Sequence, residues 1–133
     1  MQYHHISVKF QEGIGIVRVV DQLLNDPITA QAMREELLSL PVEHPDTAFI
    51  IDMSDVEKIA FGACYALVEL QRDHAIVPGG MPLVGLLLTV EKEMRKHGFL
   101  LDDARTMFRT FWTIELALAA FAPVQEEILE AVA

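Results

Sequence analysis

The chain has 133 residues, 52% of them hydrophobic, with 10 Lys and Arg against 20 Asp and Glu and a formal net charge of −10. That length suits one domain around one core, and so apolar a composition argues against disorder except at the ends. The excess of acid argues against nucleic acid or an anionic membrane as partner, because their phosphates are repelled, but leaves a basic protein partner open.

Ile6, Val8 and Phe10 alternate with Ser7 and Lys9, the period of a half-buried strand. Glu12-Gly13 supplies a turn, and Ile14–Val20 reads as a second, more apolar strand interrupted by Arg18, so the chain opens with a β-hairpin. Residues 21–25 form a loop whose Leu23 and Leu24 must pack somewhere. Asp26-Pro27 starts a helix, with Asp as cap and Pro where no amide donor is needed. That helix turns Ile28, Met33, Leu37 and Leu40 inward and Gln31, Arg34 and Glu35 outward, and Pro41 ends it.

Ala48-Phe49-Ile50-Ile51 is a short continuous apolar run, the pattern of a strand covered on both faces. The polar loop 52–56 follows. From Ala60 to Leu70 the period becomes helical, with Phe61, Cys64, Tyr65 and Val68 on one stripe and Ala60, Ala63, Leu67 and Leu70 on another. This strand–loop–helix unit places the loop and first helical turn at the carboxyl end of a central strand, where α/β sheets usually form a binding crevice. Residues 77–82 are rich in Pro and Gly and read as a turn before a strand over Leu83–Leu88. A charged helix over Val90–His97 stops at Gly98, and Phe99-Leu100-Leu101 packs back. Met107–Phe111 reads as the last strand, Thr113 caps a helix over Ile114–Phe121, and Pro123 breaks it. Residues 124–133 have an amphipathic pattern, suiting a further helix or a frayed tail. Alternation after the hairpin predicts an α/β fold: a mostly parallel sheet of four or five strands with helices packed on it.

No catalytic set emerges. His4, His5, His44, His74 and His97 have no metal-ligand spacing, and His4-His5 is expected in solvent. No serine lies in a nucleophile elbow. Gly13-Ile14-Gly15 is better explained by a hairpin than by a nucleotide loop. The single cysteine, Cys64, excludes an intrachain disulfide and reads as a small core residue. Asp52 and Asp55 are expected to bond loop amides rather than to form a paired-carboxylate site. Ser54 is expected to bond the turn backbone, with modification as the alternative. Phe61 and Tyr65 have two readings: an aromatic contact patch, or packing beneath the loop at 21–25. No signal peptide is visible and the apolar stretches are too short to cross a bilayer, so a cytoplasmic setting is the expectation.

Over residues 6–121 the chain resembles the STAS domain of bacterial anti-sigma factor antagonists. The resemblance rests on the run from Ile50 to Ala63, with Asp52, Met53, Ser54 and Val56 in its loop, and on Phe108, Phe111, Thr113, Glu115 and Ala117. It implies a single domain spanning 1–133, with residues 122–133 as a C-terminal extension. In phosphorylated members a Ser-Ser run opens the helix after this loop. Ala60, Phe61 and Gly62 fall on that run, and Gly62 takes the phospho-acceptor place without a hydroxyl to modify. The implied function is non-enzymatic binding of an anti-sigma factor or kinase-like protein through Ser54, Asp55, Phe61, Gly62 and Tyr65, without the usual switch and without a cofactor or metal. The alternatives are a homo-oligomeric scaffold, a homodimer in its simplest form, and a small-ligand or lipid-binding domain.

Overall fold

The hairpin forms because its two turn residues accept left-handed backbone: Glu12 and Gly13 have φ of 55° and 79°, as a two-residue hairpin of right-handed twist requires. The computed structural model describes residues 2–74, 81–102 and 108–121. The expected turn at 77–80, Met107 and the C-terminal extension lie outside them. The turn joins β1 (Ile6–Gln11) to β2 (Ile14–Val19). The chain continues through β3 (Leu23–Leu24), α1 (Pro27–Glu43), β4 (Phe49–Asp52), β5 (Lys58–Ile59) and α2 (Phe61–Asp73). It then forms β6 (Met81–Val84), α3 (Leu88–Lys96), β7 (Phe108–Phe111) and α4 (Ile114–Ala119).

Five strands make one sheet in the order β1-β2-β4-β6-β7, parallel throughout except for the opening hairpin. Each strand alternates its side chains between two faces. Val17, Phe49, Ile51, Met81, Leu83 and Phe108 face the larger core, beneath α1, α2 and α3. Ile14, Ile50 and Val84 face the smaller one, closed by Ala117 and Leu118 of α4. The expected α/β architecture is therefore present, with five strands.

Several boundaries differ from the expectation. Pro41 does not end α1, which runs on to Glu43. Pro41 sits in the last turn, where its missing donor removes one bond and the His44 amide still reaches the Leu40 carbonyl at 2.8 Å. Ile28, in the first turn of α1, is 83% exposed rather than inward, and Ala30 takes the buried side of that turn. Asp26 caps that turn as expected, accepting from the Thr29 amide at 2.8 Å, and this bond lowers its carboxyl pKa.

β6 starts earlier and ends earlier than the apolar run suggests. Pro82 is strand, but it lies ahead of Leu83, where the ladder with β4 opens, and a missing donor is tolerated there. Gly85, at φ 70°, ends the strand, and Leu87 and Leu88 become the start of α3. Gly98 closes α3 at φ 78°, as expected of a C-terminal glycine. α4 is shorter than expected, stopping at Ala119.

Two short strands were not expected. Leu23–Leu24 pairs in parallel with Lys58–Ile59. Leu24 is fully buried, as expected, whereas Leu23 departs from expectation and stays half exposed. This small ladder also fixes the start of α2, since the Ala60 amide donates to the Leu24 carbonyl at 2.9 Å.

Candidate functional site

The loop after β4 is held by its own side chains. Oδ1 of Asp52 accepts the Ser54 amide at 3.0 Å and the Ser54 hydroxyl at 2.7 Å. Asp52 thus bonds a loop amide, as expected. Ser54 departs from expectation, since its hydroxyl goes to a carboxylate rather than to the turn backbone. Asp55 departs too: its Oδ2 accepts Nε of Arg18 at 2.6 Å and also pairs with Nη2. Met53 and Val56 turn inward and are fully buried, so the polar members of the loop are left at the surface. Gly85 is required beside it, because a Cβ there meets that of Ser54 at 2.9 Å.

The start of α2 has a different character. Ala60 is its N-cap and offers no side-chain bond. Phe61 and Tyr65 are 55% and 40% exposed. Their rings stack with an interplanar angle of 13° and centroids 6.3 Å apart. Phe61 also meets Phe99 at 5.2 Å and His97 edge-on at 5.7 Å. Tyr65 carries the Arg72 guanidinium 5.9 Å from its ring centre. Both rings are therefore partly exposed surface side chains rather than buried ones. With Val68 and Leu101 they line an apolar depression of about 340 Å³. Gly62 lies between them, and a Cβ added there meets nothing within 4 Å.

The five expected site residues therefore do not converge on one hollow. Phe61 and Tyr65 face the segment 97–101 after α3, with Gly62 between them, whereas Ser54 belongs to a second cavity of about 290 Å³ lined by Ser7, Lys9, Ile16, Arg18, Asp52, Ser54 and Ile114. Asp55 reaches that cavity through Arg18. Phe99, His97, Leu101, Lys9 and Arg18 are the residues that sequence reasoning missed. One signal was present: Arg18 interrupts an otherwise apolar strand.

Cys64 is buried, as expected. Burial, with the nearby Glu93 carboxylate, pushes its thiol up to about 12, so it stays neutral and unreactive at physiological pH. His5 departs from expectation, being half-buried with Nδ1 2.8 Å from Asp21. His74 is buried, and Nε2 bonds the Thr47 carbonyl. Among the described residues no three His, Cys, Asp or Glu side chains are grouped to hold a metal ion, and no helix is long and apolar enough to cross a membrane.

An opening hairpin, a five-stranded mixed sheet and four helices around this β4–α2 loop define the STAS-domain fold. A STAS-domain protein of Planctomyces limnophilus superposes with a TM-score of 0.71 at 16% identity, over 86% of this chain and 95% of that one. RsbS of Moorella thermoacetica, solved as a serine-to-glutamate variant, gives 0.70 at 18% identity, over 92% and 99%. The anti-sigma factor antagonist SpoIIAA in its unphosphorylated form gives 0.59 at 14% identity, over 88% and 97%. At these identities the likeness is one of fold. No protein-family profile matches the chain, and no curated protein matches it in sequence.

Proposed function

We propose that the chain is a non-enzymatic interaction domain of the anti-sigma factor antagonist type. It binds an anti-sigma factor or kinase-like protein through the start of α2 and the neighbouring β4–α2 loop. Phe61 and Tyr65 are the anchors, with Ser54 and Asp55 at the margin. The observation that carries this reading is the exposed, stacked Phe61–Tyr65 pair with open space over Gly62. Exposed aromatic rings cluster at interface hot spots, and a glycine between them lets a partner backbone come close. The likeness to SpoIIAA and to the Planctomyces limnophilus protein, both described as anti-sigma factor antagonists, supports the class of partner.

Gly62 carries no hydroxyl, so a phosphoryl group cannot add roughly two negative charges at this position. Binding is then constitutive at Gly62. The test is capture of an anti-sigma kinase-like protein by the purified chain, beside Gly62→Ser, with ATP present. The native chain binds and stays unmodified, while the Ser variant becomes phosphorylated and releases the partner. Phe61→Ala weakens binding by about 2 kcal/mol, roughly 30-fold in Kd. Full binding by both Phe61→Ala and Tyr65→Ala places the surface elsewhere.

A further inference from the structure

Beside α4, on the outer face of the β1–β2–β4 strands, lies a polar cavity that meets the proposed partner surface only at its margin, at Ser54 and, through Arg18, at Asp55. Its walls follow from strand register. Ser7 of β1 lies opposite Arg18 of β2, and Arg18 lies beside Asp52 of β4, so the three form one cross-strand row. Lys9 lies opposite Ile16 in the next row. Lys9 and Arg18 are therefore diagonal neighbours on one face, a spacing of roughly 7–8 Å between such positions. That spacing lets both cations reach a single anion placed between them.

Two like charges on one sheet face repel unless something offsets them. Asp55 does so for Arg18, through Nε and Nη2 on one carboxylate oxygen. Lys9 has no ion pair among the described residues. Asp52 also lines the cavity, but its Oδ1 already accepts the amide and hydroxyl of Ser54. Ser7 adds a second hydroxyl, and Ile16 and Ile114 give an apolar wall. The cavity thus combines two cations, the Asp52 carboxylate, two hydroxyls and a small apolar surface in about 290 Å³, with the Asp55 carboxylate alongside on Arg18. That volume suits a small molecule rather than a macromolecular segment.

We propose that this cavity binds a small phosphomonoester. The phosphate lies between Lys9 and Arg18, and the carbon portion rests on Ile16 and Ile114. Arg18 presents a planar fork of donors matched to phosphate oxygens, and the ligand competes with Asp55 for it. The inference does not rest on the partner-binding reading, since none of Phe61, Gly62 and Tyr65 lines the cavity.

The experiment is an amide chemical-shift titration of the full chain with inorganic phosphate, ribose 5-phosphate and ribose, each against chloride at matched ionic strength. Phosphate and ribose 5-phosphate shift the amides of residues 7–9, 16–18 and 52–56, and ribose does not. Arg18→Gln weakens ribose 5-phosphate about 10-fold and Lys9→Gln about 3-fold, as loss of charge-assisted hydrogen bonds requires. Asp55→Asn tightens it roughly 3-fold by releasing Arg18, a gain that a purely structural role for Asp55 does not give. Both cations are exposed, so the variants keep the parent spectrum outside these residues. A phosphate response no larger than that of chloride overturns the inference. So does unchanged affinity in both Arg18→Gln and Lys9→Gln, or ribose acting as strongly as ribose 5-phosphate.

Discussion

The two faces of the sheet are finished in opposite ways. One lies under α1, α2 and α3, with Val17, Ile51, Leu67 and Leu83 fully buried. The other is covered, among the described residues, by the short helix α4, which packs on β4, β6, β7 and Ile14 of β2 but leaves Ser7, Lys9 and Arg18 exposed. There the outward positions Ser7, Lys9 and Arg18 are polar, beside the buried Ile14 and Ile16, in strands whose inward positions are Val8, Val17 and Val19. One face therefore provides most of the hydrophobic stabilisation, and the other is free to carry charge. The aromatic pair at the start of α2 lies at the border of the covered side, where a helix with too wide an apolar surface runs past the core it packs on.

Substitutions in the two cores test that division most strongly. Leu67→Ala, on α2 in the larger core, is expected to destabilise by about 3–5 kcal/mol, and Leu118→Ala, on α4 in the smaller one, by about 2 kcal/mol or less. Equal losses in denaturant unfolding would erase the distinction between the faces. Gly85→Ala comes next, at about 1–2 kcal/mol for a left-handed backbone position, with added crowding against Ser54. If its melting temperature equals the parent's, the β6 exit is not held as described. Gly62→Ser is expected to stay within about 0.5 kcal/mol of the parent, as do Phe61→Ala and Tyr65→Ala. A large loss in any of these would move the aromatic pair from the surface to the core.

The smallest effect concerns pH. The Asp26 carboxyl is held below its ordinary value by the Thr29 amide. Its contribution to α1 is thus fully present above the ordinary carboxylate pKa and is lost as pH falls through the lowered folded value. Asp26→Asn, which keeps a capping oxygen without the charge, should flatten that part of the acid limb in thermal melts. An unchanged limb would show that the cap does not contribute to it.

Much of this was legible in the sequence because period and turn chemistry are local. The hairpin, the buried β4 and the period change into α2 all follow from short stretches. So does the prominence of Phe61 and Tyr65, since α2 has more apolar positions than one face can bury. What was not legible depended on neighbours distant in the chain. Leu23–Leu24 becomes a strand only because Lys58–Ile59 comes beside it. Pro82 reads as turn until the β4 ladder is seen to open after it. Asp55 looks like a loop-capping residue until Arg18, far earlier in the chain, takes it. The cavity that unites Lys9, Arg18 and Ser54 is a property of register, which no single stretch contains.

Glu36 of α1 has a consequence for where the protein can be cut or tagged. It is only 6% exposed, and its carboxylate takes the His4 amide at 2.7 Å and the His5 amide at 2.9 Å. The first protected amides in hydrogen exchange are therefore expected ahead of β1, in residues that belong to no strand. Trimming the chain to Ile6 removes both donors and leaves a buried carboxylate to be resolvated or protonated. A fusion junction or cleavage site that respects this fold ends before His4, although the first strand opens two residues later.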